Sequence, residues 1–115
     1  MLKGLRSVIY HVNDLEAAKK WYAEVFGISP YFDQPFYVGY EIGGFELGLD
    51  PSPETYTSGN HSVAYWKTDD IEAAFEKLKS LNVQIQEDIH SVGGGIRVGT
   101  IFDPFGNLIG LIEEV

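Results

Sequence analysis

The sequence predicts an α+β fold of two tandem βαβββ modules, which form a concave mixed sheet with the helices on its outer face. Three observations carry that expectation. Two segments combine helical periodicity with capping residues. Eight short stretches rich in β-branched and aromatic residues read as strands. The helix-start motif VNDLEAA at 12–18 returns as TDDIEAA at 68–74, and ELGL at 46–49 returns as LIGL at 108–111. The length, 115 residues, suits one domain over 1–115. Module one is expected at about 5–52 and module two at about 61–115.

A strand over 7–12 opens module one. Leu15, Ala18, Tyr22 and Val25 then make the apolar stripe of a helix over 14–26. Asn13 or Asp14 can accept from its free first-turn N–H groups, and Gly27 stands where a left-handed residue ends a helix. Strands follow at 28–33, 36–42 and 45–50, the last two joined by a tight turn at Gly43-Gly44. The polar stretch 51–60, with Pro51 and Pro53, reads as a linker. Module two repeats the order. A strand at 63–68 leads to a helix at 70–81, striped by Ile71, Ala74, Phe75, Leu78 and Leu81 and capped by Asp69 or Asp70. Strands at 83–88, 96–102 and 108–113 complete it, and Pro104-Phe105-Gly106-Asn107 suits the last turn. The second module is the longer one, and the excess falls at Gly93-Gly94-Gly95. That segment lacks the Lys-Ser/Thr and helix start of a phosphate loop, so it reads as a mobile hairpin or lid. Gly99 and Gly110, inside strands, mark bulges or close backbone approach.

Composition excludes several classes of function. Lys plus Arg number 8 against 17 Asp plus Glu, a formal charge of −9. Nucleic acid is therefore not an expected partner, since binding it requires cations that displace counterions. The absence of cysteine removes disulfides, thiolate metal sites and a cysteine nucleophile. No apolar run approaches the ~20 residues of a membrane span, and residues 1–6 are too short and interrupted for a signal peptide. The expectation is a soluble cytoplasmic protein with no membrane partner.

Val12-Asn13-Asp14-Leu15-Glu16-Ala17-Ala18-Lys19-Lys20-Trp21-Tyr22, Val25-Phe26-Gly27, Asp69-Asp70-Ile71-Glu72-Ala73-Ala74 and Phe102-Asp103-Pro104-Phe105-Gly106-Asn107 occur in that order. Together they resemble the glyoxalase / bleomycin-resistance / extradiol-dioxygenase superfamily, also called vicinal oxygen chelate, over essentially the whole chain. In enzymes of that superfamily the resemblance implies metal ligands at matching strand positions. Here those positions are Ser7, Val63, Gly110 and Gly48, or Glu46 if the first-module strand is shifted by two. Val and Gly have no ligating side chain, and Ser is a poor neutral donor to divalent metals. The resemblance therefore points to metal-free, bleomycin-resistance-type members with no cofactor. It also implies a homodimer with cavities near the interface.

Strand alternation selects the residues that face the cup. If Ser7 faces it, so do Ile9 and His11. If Val63 does, so do His61 and Tyr65, and if Gly48 does, so do Glu46 and Asp50. The expected ligand-binding set is Ser7, His11, Tyr40, Glu46, Gly48, Asp50, His61, Val63, Tyr65 and Gly110, with Gly48 and Gly110 enlarging the cup floor. Tyr31, Phe32, Phe36, Tyr37, Tyr40 and Tyr65 crowd its strands, and half of any such set must face the helices, where Trp21 and Trp66 belong. From Trp21 to Trp66 there is no Lys or Arg, while Glu24, Asp33, Glu41, Glu46, Asp50 and Glu54 are present. An acidic, aromatic cup suits a cationic, partly aromatic guest. Tyr65 and Tyr40 are the expected stacking walls, with Glu46 and Asp50 as charge partners. The expected function is metal-independent binding of a small cationic or aromatic molecule, such as drug sequestration. The alternative is a glyoxalase- or dioxygenase-like lyase or isomerase. It would use a displaced metal site at His11, Glu46 and His61, or a His11/Glu46 acid–base pair as its catalytic candidates. His90, beside the glycines, reads as solvent-exposed.

Overall fold

The structure, a computed structural model, describes residues 3, 5–53 and 63–114. Its elements run β1 (Ser7–His11), α1 (Leu15–Phe26), β2 (Phe32–Gln34), β3 (Tyr37–Ile42), β4 (Phe45–Asp50), β5 (Ala64–Lys67), α2 (Ile71–Ser80), β6 (Gln84–Gly93), β7 (Ile96–Phe102) and β8 (Leu108–Glu114). Two compact units divide between Ser58 and Gly59, and each holds one βαβββ module. Each module forms a four-stranded mixed sheet, ordered β1-β4-β3-β2 in the first and β5-β8-β7-β6 in the second. The first and last strands of each module pair parallel, and the hairpins pair antiparallel. The α+β expectation therefore holds, module by module. Among the described residues no helix is long and apolar enough to cross a membrane.

Both helices begin at the second of their two candidate caps. Asp14 Oδ1 accepts from the Ala17 N–H at 3.1 Å, and Asp70 Oδ1 accepts from the Ala73 N–H at 3.0 Å. Gly27 takes φ 69° at the end of α1 and donates its N–H to the Ala23 carbonyl at 2.8 Å. In the first unit the buried face of the sheet is Tyr10, Val38, Tyr40, Leu47 and Leu49, packed on Ala18 and Tyr22 of α1. Tyr10 and Tyr22 stack at 5.9 Å between ring centroids. In the second unit Ile71, Phe75 and Leu78 of α2 pack on Ile101, Ile109 and Leu111. Trp66 sits opposite Leu111, on the helix side of its sheet.

Two strands depart from their expected spans by more than one residue at an end. β2 is only Phe32–Gln34, because Pro30 has no N–H to give a ladder at the start of 28–33. β6 extends past residue 88 to Gly93, with register irregularities along its pairing with β7. Bulges let a polar strand bend without losing its partner. Gly94 and Gly95, at φ 65° and 75°, form the turn into β7, so the triple glycine closes a hairpin. His90 lies within β6 and is half-exposed, where full exposure beside the glycines was expected. Its Nδ1 is 2.9 Å from the Asp88 carbonyl and its Nε2 3.1 Å from Glu87. Residues 54–60 of the expected linker and His61 lie outside the described residues.

Candidate functional site

The face of the first sheet turned away from α1 is set by the Gly43-Gly44 turn and by the parallel β1–β4 ladder. The turn pairs Ile42 with Phe45, Glu41 with Glu46, Tyr40 with Leu47 and Gly39 with Gly48. The parallel ladder pairs Ser7 with Glu46, Ile9 with Gly48 and His11 with Asp50. Ser7, Ile9, His11, Glu46, Gly48 and Asp50 therefore share one face, in the grouping that alternation gave. Tyr40 does not join them. It stands opposite Leu47, fully buried, and its hydroxyl donates to the Lys19 carbonyl of α1 at 2.9 Å. Burial pushes that phenol up to about 12. Tyr40 is a core residue, out of reach of the open face, and other rings stand beside Glu46 there.

Those rings are Tyr31 and Tyr37. Both hydroxyls donate to the Glu46 carboxylate, Tyr37 to Oε1 at 2.9 Å and Tyr31 to Oε2. Ser7 Oγ donates to Oε1 at 3.0 Å, and Arg6 Nη1 reaches the same oxygen at 3.4 Å. The Tyr31 hydroxyl bond, with those of Tyr37 and Ser7 and the Arg6 charge, holds the Glu46 carboxyl below the usual carboxylate range against the opposing effect of burial. Glu46 is thus ionised at neutral pH. The linked stability is present above its unfolded pKa and is lost as pH falls through the depressed folded one. Burial first, then the hydrogen bond to Glu46, pushes the Tyr37 phenol up to about 12. The hydrogen bond to Glu46 is the chief cause raising Tyr31. Both phenols remain neutral donors.

The glycines of this face seat rings and do not leave a hollow floor. A Cβ on Gly48 would stand 1.8 Å from the Tyr37 hydroxyl oxygen, and one on Gly39 would stand 3.1 Å from Glu46 Oε2. In the second unit a Cβ on Gly110 would meet the Tyr65 ring at 2.5 Å. Expecting Gly48 and Gly110 to enlarge a cup overlooked the strand neighbours that can lie across them. Around Glu46 the aromatic surface continues through Phe32, whose ring centroid is 6.1 Å from that of Tyr37 and 6.0 Å from that of Phe36. Tyr31, Phe32 and Phe36 are exposed. Tyr65 is half-exposed on β5, beside Gly110, and Val63 precedes that strand.

His11 and Glu46 do not converge. Four residues of parallel ladder separate Ser7–Glu46 from His11–Asp50, about 13 Å at ~3.3 Å per residue. His11 Nδ1 lies instead 3.7 Å from Asp50 Oδ2. The His11/Glu46 acid–base pair and a metal site containing both are corrected by that spacing. Among the described residues no three His, Asp or Glu side chains group to hold a metal. The positions that the resemblance marks for metal ligands also fit a divalent ion poorly. Val63, Gly48 and Gly110 bring no donor atom, and Tyr37 and Tyr65 cover the two glycines. The Glu46 oxygens already accept from Ser7, Tyr31, Tyr37 and Arg6.

The remaining charged clusters are structural. Arg97 spans Glu72 at 3.0 Å and Glu113 at 3.0 Å, while Glu113 also accepts the Ile71 N–H at 2.9 Å, tying the start of α2 to β7 and β8. Asp103 Oδ1 accepts from the N–H groups of Phe105 and Asn107 at 2.9 and 2.7 Å, which shapes the β7–β8 turn. The Asp-Pro-Phe-Gly-Asn motif therefore builds a turn.

The sequence matches the profile of the Glyoxalase/Bleomycin resistance protein/Dioxygenase superfamily over residues 4–111. The chain belongs to that superfamily. No curated protein matches it significantly. Among solved structures it is similar to the genomically encoded fosfomycin resistance protein FosX of Listeria monocytogenes, solved with Mn(II) and sulfate. The TM-score is 0.83 at 16% identity, covering 100% of this chain and 93% of that one. It is also similar to a lactoylglutathione lyase of Agrobacterium tumefaciens (TM-score 0.77, 21% identity, 97% and 94% covered). TioX of Micromonospora sp. ML1 is a third (TM-score 0.79, 20% identity, 98% and 100% covered). At these identities the likeness concerns the fold. Of the positions that the resemblance marks, Ser7, Gly48, Val63 and Gly110 carry no imidazole or carboxylate, whereas Glu46, the alternative to Gly48, carries a carboxylate.

Proposed function

We propose that this protein binds a small cationic aromatic molecule on the helix-free face of its first unit, without a metal and without breaking bonds in the guest. Drug sequestration is one form this would take. The supporting observation is the Glu46 carboxylate, ionised and held by the neutral hydroxyls of Tyr31, Tyr37 and Ser7 beside exposed rings. A fixed anion next to aromatic faces is a recognition element for a flat cation. A cation over a ring gains about 0.5–2 kcal/mol, whereas an exposed charge pair adds ~0–1 kcal/mol. Ring contact therefore carries most of the affinity, and Glu46 sets the preference for charge.

Calorimetric titration with matched cationic, neutral and anionic aromatic compounds tests the reading. The cationic series binds best, and chelator leaves its affinity unchanged. Tyr31→Ala weakens binding about tenfold, equivalent to ~1.4 kcal/mol, and Glu46→Gln weakens only the cationic compounds, by less than about fivefold. Asp50→Asn, at the far end of β4, changes affinity less than about twofold. Best binding by anionic compounds, or an affinity indifferent to Tyr31→Ala, overturns the site. Loss of binding with chelator overturns its metal independence.

We propose also that the protein is a homodimer. β1 and β5 each pair on one side only within their own sheets, and Ile9 and Tyr65 on them are exposed. Light scattering should give about twice the chain mass. A monomer throughout the micromolar range removes the proposal.

A further inference from the structure

Among the described residues the Glu46 carboxylate has four hydrogen-bonding partners, and only one of them carries charge. Tyr31, Tyr37 and Ser7 are neutral donors set on the same sheet face or at its edge. Arg6 differs in every respect that governs exchange. Its side chain is 80% exposed against 13% for Glu46. Its Nη1 lies 3.4 Å from Oε1, beyond the usual range for a charge-assisted bond, while the same nitrogen is 2.9 Å from Ser7 Oγ. The Arg6 backbone, by contrast, is fixed, because its carbonyl accepts the Glu46 N–H at 2.8 Å. The guanidinium is thus tethered beside the carboxylate by the parallel β1–β4 pairing but is free to leave it for water.

We propose that Arg6 is an internal stand-in for the ligand's cation: the guanidinium neutralises Glu46 in the empty protein and is displaced when a cationic aromatic guest binds. The inference rests on the binding reading above and adds its regulation. If Arg6 leaves, Glu46 keeps its three hydroxyl donors and loses only its counter-charge, which the guest replaces. A neutral ring of the same shape binds with the Arg6–Glu46 pair left in place, so Arg6 competes only with a guest that carries positive charge. Such a competitor lowers affinity for every cationic guest and leaves neutral ones untouched.

The test compares wild type with Arg6→Gln, using benzamidinium and its neutral isostere benzamide as probes, followed by NMR titration. Lys20→Gln serves as the control for net charge, because Lys20 is an exposed cation on α1. Arg6→Gln should bind benzamidinium about three- to tenfold more tightly than wild type, with benzamide unchanged and Lys20→Gln equal to wild type. Arg6→Lys, which keeps the charge, should stay near wild type. If wild type binds benzamidinium and Arg6→Gln binds it equally or less tightly, Arg6 is no competitor, though the site stands. An equal gain in Lys20→Gln overturns the local role as well. If neither wild type nor Arg6→Gln binds benzamidinium, the binding reading itself falls, and this inference with it.

Discussion

Phe75→Ala should lower the unfolding free energy by about 3–5 kcal/mol, the cost of removing a fully packed aromatic ring and leaving a cavity. Phe75 is 1% exposed, and it lies directly on the backbone of β7. A Cβ on Gly99 would stand 2.4 Å from Phe75 Cζ, so the absence of a side chain at Gly99 lets the ring sit that close. The pair is coupled, and that coupling can be measured. Gly99→Ala alone should cost about 1–3 kcal/mol through overpacking, because a ring that is only 1% exposed has little room to withdraw. In a Phe75→Leu background the same substitution should cost clearly less, since a smaller side chain leaves space for the methyl group. Urea denaturation of the four variants supplies the cycle. Strict additivity would show that the ring and the glycine are independent.

Asp103→Ala should cost about 3 kcal/mol, the second largest loss expected. Asp103 is 4% exposed and Asn107 is 3% exposed. The carboxylate takes the N–H groups of Phe105 and Asn107 on Oδ1, and the Asn107 side-chain amide donates to Oδ2 at 2.8 Å. Alanine withdraws three acceptor contacts from donors with little access to water. Losing an acceptor for a buried donor costs about 1–3 kcal/mol before any relaxation. Asp103→Asn keeps one oxygen for the backbone donors and should lose less than half as much. In a thermal melt the alanine variant should fall by about 10 °C or more. A melt within two or three degrees of wild type, about the size of a surface change, would show that the turn forms without its carboxylate.

The same two sites show why parts of the fold were legible in the sequence. The capping aspartates, the apolar stripes and the DPFGN turn act over a few residues, and each carries its own hydrogen-bond chemistry. Repetition of VNDLEAA as TDDIEAA then fixed how many such units to expect. β2 and β6 were harder to bound. Pro30 silences one donor in a stretch that otherwise looks like a strand. The polar residues of 84–93 hide a strand that is held by its partner β7 and not by its own apolar pattern.

The candidate site was legible in part, and the part that failed is instructive. Alternation correctly grouped Ser7, His11, Glu46, Gly48 and Asp50 on one face. Tyr40 went to the wrong face, although the Gly43-Gly44 turn contains the information to place it opposite Leu47. Stepping back from that turn makes Tyr37 and Gly39 the partners of the Glu46 face. Parity counted from the turn, and not membership of the strand, decides which aromatic residue shares the Glu46 face.

Local chemistry alone accounts for the two βαβββ modules, their helix caps and turns, the acidic balance and the lack of side-chain donors at Val63, Gly48 and Gly110. Those properties belong to single residues or to neighbours within one element, so no knowledge of distant contacts is required. The identity of Glu46's partners is different in kind. Arg6 is 40 residues away in sequence from the carboxylate it neutralises and comes from outside the stretch that contains no basic residue. Tyr37, on β3, reaches the same oxygen as Arg6, and Tyr31, just before β2, reaches the other. A parallel pair has no turn of its own to set its register, so only the packed sheet, with α1 crossing between β1 and β4's hairpin, could decide which side chains meet there.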